Sequence, residues 1–156
     1  MKISFLLIGK TTQEYLREGM AIYEKRLKNY IAFETKVLPE IKKTSSLSFE
    51  QQKNFEGKLL MESISPGDTV VLLDEGGKGL TSVDFAFFLQ KQMIQSTKSM
   101  IFVVGGPYGF SKEMYNRANE MISLSKMTFS HQMVRLIFLE QLYRSMTILK
   151  NEPYHH

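Results

Sequence analysis

The chain of 156 residues contains no cysteine. That excludes disulfides, thiolate metal sites and a cysteine nucleophile, and nothing in the composition asks for an oxidising compartment. No stretch approaches the roughly 20 apolar residues that a bilayer-crossing helix requires. The opening run Met1–Gly9 is apolar but short. It leads into a charged amphipathic stretch without a small-residue cleavage site, so it reads as a first strand and not as a signal peptide. A soluble, cytoplasmic domain is the expectation. The only histidines are His131, His155 and His156, and with no H-E-x-x-H pair no metal is expected. No G-x-G-x-x-G opens the first helix, no G-x-x-x-x-G-K-[ST] follows a strand, and no G-x-S-x-G is present. These absences argue against a dinucleotide-binding Rossmann unit, a P-loop NTPase and an α/β-hydrolase elbow.

What is present suits a single domain spanning residues 1–156. Hydrophobic residues make up 43% and charged residues 23%, enough for a sizeable core and no argument for disorder. The net charge is +4, a mild basic excess that admits a polyanionic partner without requiring one.

Short apolar runs alternate with stretches of helical period. Residues 3–8, 33–38, 69–73, 100–104 and 121–124 read as strands. Leu16, Met20, Tyr23, Leu27 and Tyr30 mark an amphipathic helix within residues 12–30. Ser48 and Gln51 stand at capping-box spacing at the head of a second helix, residues 48–64. Residues 81–95 are a third helix, Ser111 is placed to cap another, and residues 131–150 form a long last one. The polar connection Lys42-Lys43-Thr44-Ser45-Ser46 is the segment expected to be most mobile. Alternating strands and helices imply an α/β architecture with a mostly parallel sheet. Ligands in such sheets bind beyond the carboxyl ends of the strands, so the loops after Leu73, Val104 and Leu124 are where a site is expected. The first of these reads as the glycine-dense loop Asp74–Gly79. Glycine there admits a ligand close to the backbone, or simply makes the turn.

Projected at about 100° per residue, the last helix is apolar around most of its circumference. Val134, Phe138, Leu142 and Leu149 form one stripe, with Leu136, Leu139 and Tyr143 beside it and Ile137 and Ile148 on another side. Such a helix is buried on more than one face. Either it is sandwiched within the domain or one face meets a second subunit, and a homodimer is the favoured expectation.

Four segments in the second half carry a resemblance. They are Val103-Val104-Gly105-Gly106-Pro107-Tyr108-Gly109, the run Leu124–Arg135 (LSKMTFSHQMVR), Glu140-Gln141-Leu142-Tyr143-Arg144-Ser145, and Pro153-Tyr154-His155. Together with Tyr23-Glu24-Lys25-Arg26-Leu27 in the first helix, this ordered set resembles the small SPOUT-class methyltransferases that act on a pseudouridine of large-subunit ribosomal RNA. The resemblance covers essentially the whole chain. It implies an α/β trefoil knot, in which the C-terminal part threads a loop, and an obligate homodimer. It also implies S-adenosylmethionine as methyl donor, with no metal, and methylation of ring nitrogen 3 of a pseudouridine in 23S rRNA of the assembled 70S ribosome. Carried over residue by residue, the cofactor contacts fall on Leu73, Gly105, Leu124, Ser125, Lys126, Met127, Thr128 and Phe129. Where members of the family end in a basic residue, this chain has His156.

The reaction needs a proton acceptor, and imidazole is the natural one near neutral pH. His155 and His131 are the candidates, with Tyr154 as a partner for the base by stacking or hydrogen bonding and Tyr108 as a further stacking partner. For His131 the alternative is a structural place at the head of the last helix. Arg135 and Arg144 are candidate RNA contacts. Nine positions apart on one helix, they point in nearly opposite directions, so one is expected to serve its own subunit and the other to reach across a dimer. The simpler alternative for Arg144 is an i, i+4 ion pair with Glu140. Lys25, Arg26, Lys28, Lys42 and Lys43 form either a phosphate-contacting surface or a solvated helix face. Two other classes compete: a non-catalytic ribosome- or RNA-binding module of the same fold, and a small enzyme whose glycine loops hold another adenine-containing ligand.

Overall fold

The computed structural model describes residues 1–42 and 44–156; Lys43, a candidate phosphate contact, lies outside the described residues. Five strands, β1 (Lys2–Ile8), β2 (Ala32–Leu38), β3 (Thr69–Gly79), β4 (Ser99–Val104) and β5 (Glu120–Ser123), make one sheet in the order β2-β1-β4-β3-β5. Every neighbouring pair is parallel, so all five strands deliver their carboxyl ends to the same side. The α/β class and parallel sheet stand as expected.

Among the described residues, five α-helices cover the two faces: α1 (Glu14–Leu27), α2 (Phe49–Glu62), α3 (Ser82–Ile94), α4 (Lys112–Arg117) and α5 (Met133–Leu149). Side chains alternate across a strand, and the strands divide accordingly. Phe5, Leu7, Val71, Phe102 and Val104 share one core with Met20 of α1, Phe85 and Leu89 of α3, and Phe138, Leu139 and Leu142 of α5. Leu6, Ile8, Val70, Leu72 and Val103 share the other with Leu60 of α2 and Met114 of α4. Phe138 sits at the centre of the first core, its ring 4.6 Å from Phe5 and 4.8 Å from Phe102.

Helix starts follow their caps. Ser48 and Gln51 form the reciprocal box at the head of α2, Thr81 and Asp84 form another before α3, and the Ser111 hydroxyl accepts from Met114 N–H at α4. The last helix begins two residues later than its pattern suggests, because Ser130 makes a turn first and its hydroxyl accepts from Met133 N–H at 3.1 Å. Packed on α1 and α3, α5 has no exposed residue within its bounds.

The Asp74–Gly79 segment departs from the loop expected of it. β3 continues through it to Gly79, with a register shift: Leu73 and Lys78 both pair with Ile122 of β5. The intervening residues bow out, and Asp74 Oδ1 accepts from Gly76 N–H at 2.8 Å to close the bow. Gly77 packs so tightly that a Cβ there would lie 2.6 Å from Ile122 N. Turn-forming composition hid a strand because the glycine serves close approach.

Candidate functional site

A cavity of about 450 Å³ opens beyond the carboxyl ends of β3, β4 and β5. Of the residues marked in the sequence as cofactor contacts, Leu73, Gly105, Leu124, Ser125, Met127, Thr128 and Phe129 line it. Lys126 lies in the same loop but is exposed and does not line the cavity. Three strand ends distant in sequence are brought together because their strands adjoin.

Each wall is shaped locally. After β5, the Ser123 hydroxyl donates to Ser125 C=O at 2.8 Å and Ser125 Oγ accepts from Met127 N–H at 2.9 Å, which turns the loop on itself. Met127 is left 75% exposed. After β4, Gly109 N–H donates to Gly106 C=O at 3.2 Å. Gly109 takes φ +82°, which glycine alone adopts freely. Phe110 tucks beneath Gly105. After β3, Asp74 and Glu75 add carboxylates to the rim. Asp74 Oδ2 accepts from the Tyr115 hydroxyl at 2.7 Å, and burial together with that bond pushes the Tyr115 phenol up to about 12. The sequence marks the loop of Asp74 and Glu75, just past a strand end, as a place for a site without singling out either residue.

Among the candidate catalytic residues, His131 lines the cavity. Burial, and then the charge of Arg135, pull its pKa below the usual histidine value, while Glu40 opposes the shift. It therefore presents a neutral imidazole at pH 7. Tyr154 and His155 do not line the cavity. The Tyr154 hydroxyl donates to Glu140 Oε1 at 3.1 Å and lies 3.4 Å from the Tyr23 hydroxyl, while its ring packs edge-on against Tyr143. Burial foremost, then the Tyr23 bond and Glu140, hold this phenol above its ordinary value. His155 Nδ1 is 3.4 Å from Arg144 Nη1.

The arginines separate sharply. Arg144 makes the i, i+4 pair with Glu140, and its guanidinium lies 4.8 Å from the Tyr154 ring centroid. Arg135, marked in the sequence as a candidate RNA contact, is 1% exposed. Its guanidinium donates to the backbone oxygens of Ile8, Gly9 and His131 and to Thr11 Oγ1. That side chain ties the head of α5 to the end of β1. Of the scattered cations, Arg26 lies over the Tyr23 and Tyr143 rings. Lys42 borders a second, wider depression beyond β1 and β2 together with Lys10 and Arg17. Lys25 and Lys28 are exposed on α1 and just beyond it. Among the described residues no His, Cys, Asp and Glu cluster could hold a metal ion, and no helix is long and apolar enough to cross a membrane.

The chain has extensive similarity to known proteins. Ribosomal RNA large subunit methyltransferase H of Parabacteroides distasonis is 56% identical over 156 residues, covering 100% of this chain and 99% of that one. The proteins of the same name from Christiangramia forsetii and Phocaeicola vulgatus are 55% and 52% identical with the same coverage. A solved structure described as a probable methyltransferase from Bordetella pertussis Tohama I shares the fold at TM-score 0.54 and 8% identity, over 93% of this chain and 94% of that one. The family model described as "Predicted SPOUT methyltransferase" matches residues 1–155. The convergent strand-end loops and the matched length agree, and the chain belongs to the SPOUT methyltransferases.

Proposed function

We propose that the chain binds S-adenosylmethionine in the cavity beyond β3, β4 and β5. There it methylates ring nitrogen 3 of a pseudouridine in 23S rRNA of the assembled 70S ribosome. The observation that carries this reading is the convergence of Leu73, Gly105 and the Leu124–Phe129 loop on one concavity. Its about 450 Å³ falls within the roughly 300–1,000 Å³ of small-molecule sites. The lining suits an adenosyl ligand: glycine backbone for close approach, Leu73, Leu124 and Met127 as apolar cover, and Ser125, Thr128 and Asp74 for polar groups. Asp74 and Glu75 put negative charge beside a ligand that carries a positive sulfonium. When bound, the donor supplies an electrophilic methyl carbon for in-line displacement. The relatives' name supports ribosomal RNA as the substrate.

The chain's own work is to position both reactants and to take the proton from the ring nitrogen. Neutral and on the cavity wall, His131 is the acceptor favoured within one protomer. Tyr154, His155 and Arg144 gather farther along α5. Met133 and Arg144 are separated by about 16 Å of helix axis, so this group serves a cavity only from a neighbouring copy. A homodimer with composite sites follows, and the 75% exposure of Met127 and 37% of Phe129 suits a lip that a second subunit covers. The trefoil knot belongs to the same reading. After edge strand β5 the chain crosses the ends of β3 and β4, and Arg135 then joins α5 to β1.

Calorimetry with S-adenosylmethionine tests the pocket, and light scattering tests for twice the 18.1 kDa chain mass. Radiolabelled methyl transfer to undermethylated 70S ribosomes, against free rRNA, tests the substrate. Label on transfer RNA or protein would overturn the assignment. An absence of S-adenosylmethionine binding would favour the non-catalytic RNA-binding module.

A further inference from the structure

Behind the cavity, on the side away from solvent, α2 presses two consecutive residues against the loop between β4 and α4. Gly57 is so near Ser111 that a Cβ on it would lie 2.2 Å from that hydroxyl oxygen. One residue earlier, the Glu56 carboxyl stands against the back of Gly106. A Cβ on Gly106 would meet Oε2 at 2.4 Å, Oε1 at 2.6 Å and Cδ at 2.8 Å. Glu56 is 4% exposed. Its Oε1 accepts from the Gln52 amide at 3.1 Å, whereas Oε2 has no hydrogen-bond partner among the described residues. A buried carboxyl with an unsatisfied oxygen destabilises the fold that holds it. Burial foremost, with the negative charge of Glu40, raises its pKa, and the Gln52 bond opposes this. The front of Gly106 lines the cavity; the carboxyl occupies the place of the side chain that residue 106 lacks.

We propose that Glu56 is a positioning residue for the methyl donor. Acting through Gly106, its carboxyl sets how far the Gly105–Gly106 backbone projects into the cavity, and so fixes the wall the donor rests on. The inference depends on the cavity being the donor site. Without the carboxyl the wall has a void behind it and settles backward. With a Cβ on residue 106 and the carboxyl still in place, the wall is pushed forward into the donor's space.

A double-mutant cycle reads this coupling. Glu56→Ala, Gly106→Ala and the double variant are titrated with S-adenosylmethionine by calorimetry, and each is melted. Each single change is expected to weaken donor binding about tenfold, the equivalent of 1.4 kcal/mol, while the pair returns to within about threefold of the wild type. Glu56→Gln, nearly isosteric, is expected to bind within about twofold. Glu56→Asp retracts the carboxyl by one methylene and serves if Glu56→Ala does not fold; it is expected to bind several-fold more weakly. In methyl-transfer assays the donor KM rises while kcat at saturating donor is kept. Additive losses in a wild-type background that binds donor would overturn the inference, as would Gly106→Ala or Glu56→Asp binding normally. A wild-type protein that does not bind S-adenosylmethionine would instead overturn the reading of the cavity, and this inference with it.

Discussion

Replacing Arg135 with methionine preserves side-chain reach and helix propensity but removes every donor. In the native chain its guanidinium donates to Ile8 C=O at 2.8 Å, Gly9 C=O at 2.9 Å, Thr11 Oγ1 at 3.0 Å and His131 C=O at 3.1 Å. Ile8 and Gly9 are buried, so water does not replace the lost partner. An orphaned buried polar group costs about 1–3 kcal/mol, which puts the two carbonyls together at about 2–6 kcal/mol. Removing a buried cation also relieves its own desolvation, which is what pulls the Arg135 pKa down, so a net loss of about 2–4 kcal/mol is expected. At about 2–4 °C per kcal/mol for a chain of this size, Arg135→Met should melt about 4–16 °C below the wild type by circular dichroism. Arg144→Ala, which gives up a partly exposed ion pair, should melt within a few degrees of the wild type. An unchanged melt for Arg135→Met, accompanied by weakened ribosome binding, would refute the assignment of Arg135 as a structural tie and return it to the RNA surface.

Gly77→Ala is expected to lose about 1–3 kcal/mol in urea titration, because its Cβ would meet the fixed backbone of Ile122 and Met121. Gly67→Ala, with nothing within 4 Å, should be neutral, and equal effects at both positions would refute the packing argument. If His131 takes the proton, the acidic limb of methyl transfer should lie below the ordinary value of 6.5, in the direction of its shift, and be absent in His131→Asn. A limb unchanged by that substitution would exclude it. Because a depressed histidine pKa costs stability only where the unfolded chain is already protonated, His131 should lower Tm as pH falls below 6.5 and not above. The raised Glu56 pKa acts in the opposite window: stability drains as pH rises from the unfolded value of 4.5 through the folded one. Glu56→Gln should therefore gain in melting temperature relative to the wild type as pH rises above 4.5, as read by calorimetric scans. His131→Ala mixed with Arg144→Ala should recover about one quarter of wild-type activity if sites are composite, since half the dimers are mixed and each holds one intact site. Complete inactivity of the mixture would mean that each protomer works alone.

Period and punctuation reveal this fold to an unusual depth in some places and not in others. β1, β4 and the first part of β3, buried on both faces, read as apolar runs, and Ser48 and Ser111 announce helices because capping is local chemistry. The Asp74–Gly79 stretch misleads because glycine has two uses, and only the partner strand tells which applies. The residues proposed to contact the cofactor come from the resemblance, and the strand ends alone mark only their neighbourhood. Arg135, whose burial the helical pattern does not reveal, shows the limit. A cation's fate depends on whether backbone carbonyls surround it, and those of Ile8 and Gly9 lie far away in sequence. Glu56 gave no signal, since a glutamate on an amphipathic helix is ordinarily solvated.

The tie between Arg135 and Gly9 spans 126 residues, and it has a temporal side. Closing so long a segment carries a loop entropy that grows only slowly with length. Yet the closing partner is synthesised 126 residues after Gly9. Until α5 arrives, the carbonyls ending β1 lack their donor and the Phe5 and Phe102 rings lack Phe138. Truncated or stalled chains ending before Met133 therefore expose one uncovered face of the sheet to chaperones and proteases, and the cavity is completed only once α5 is in place.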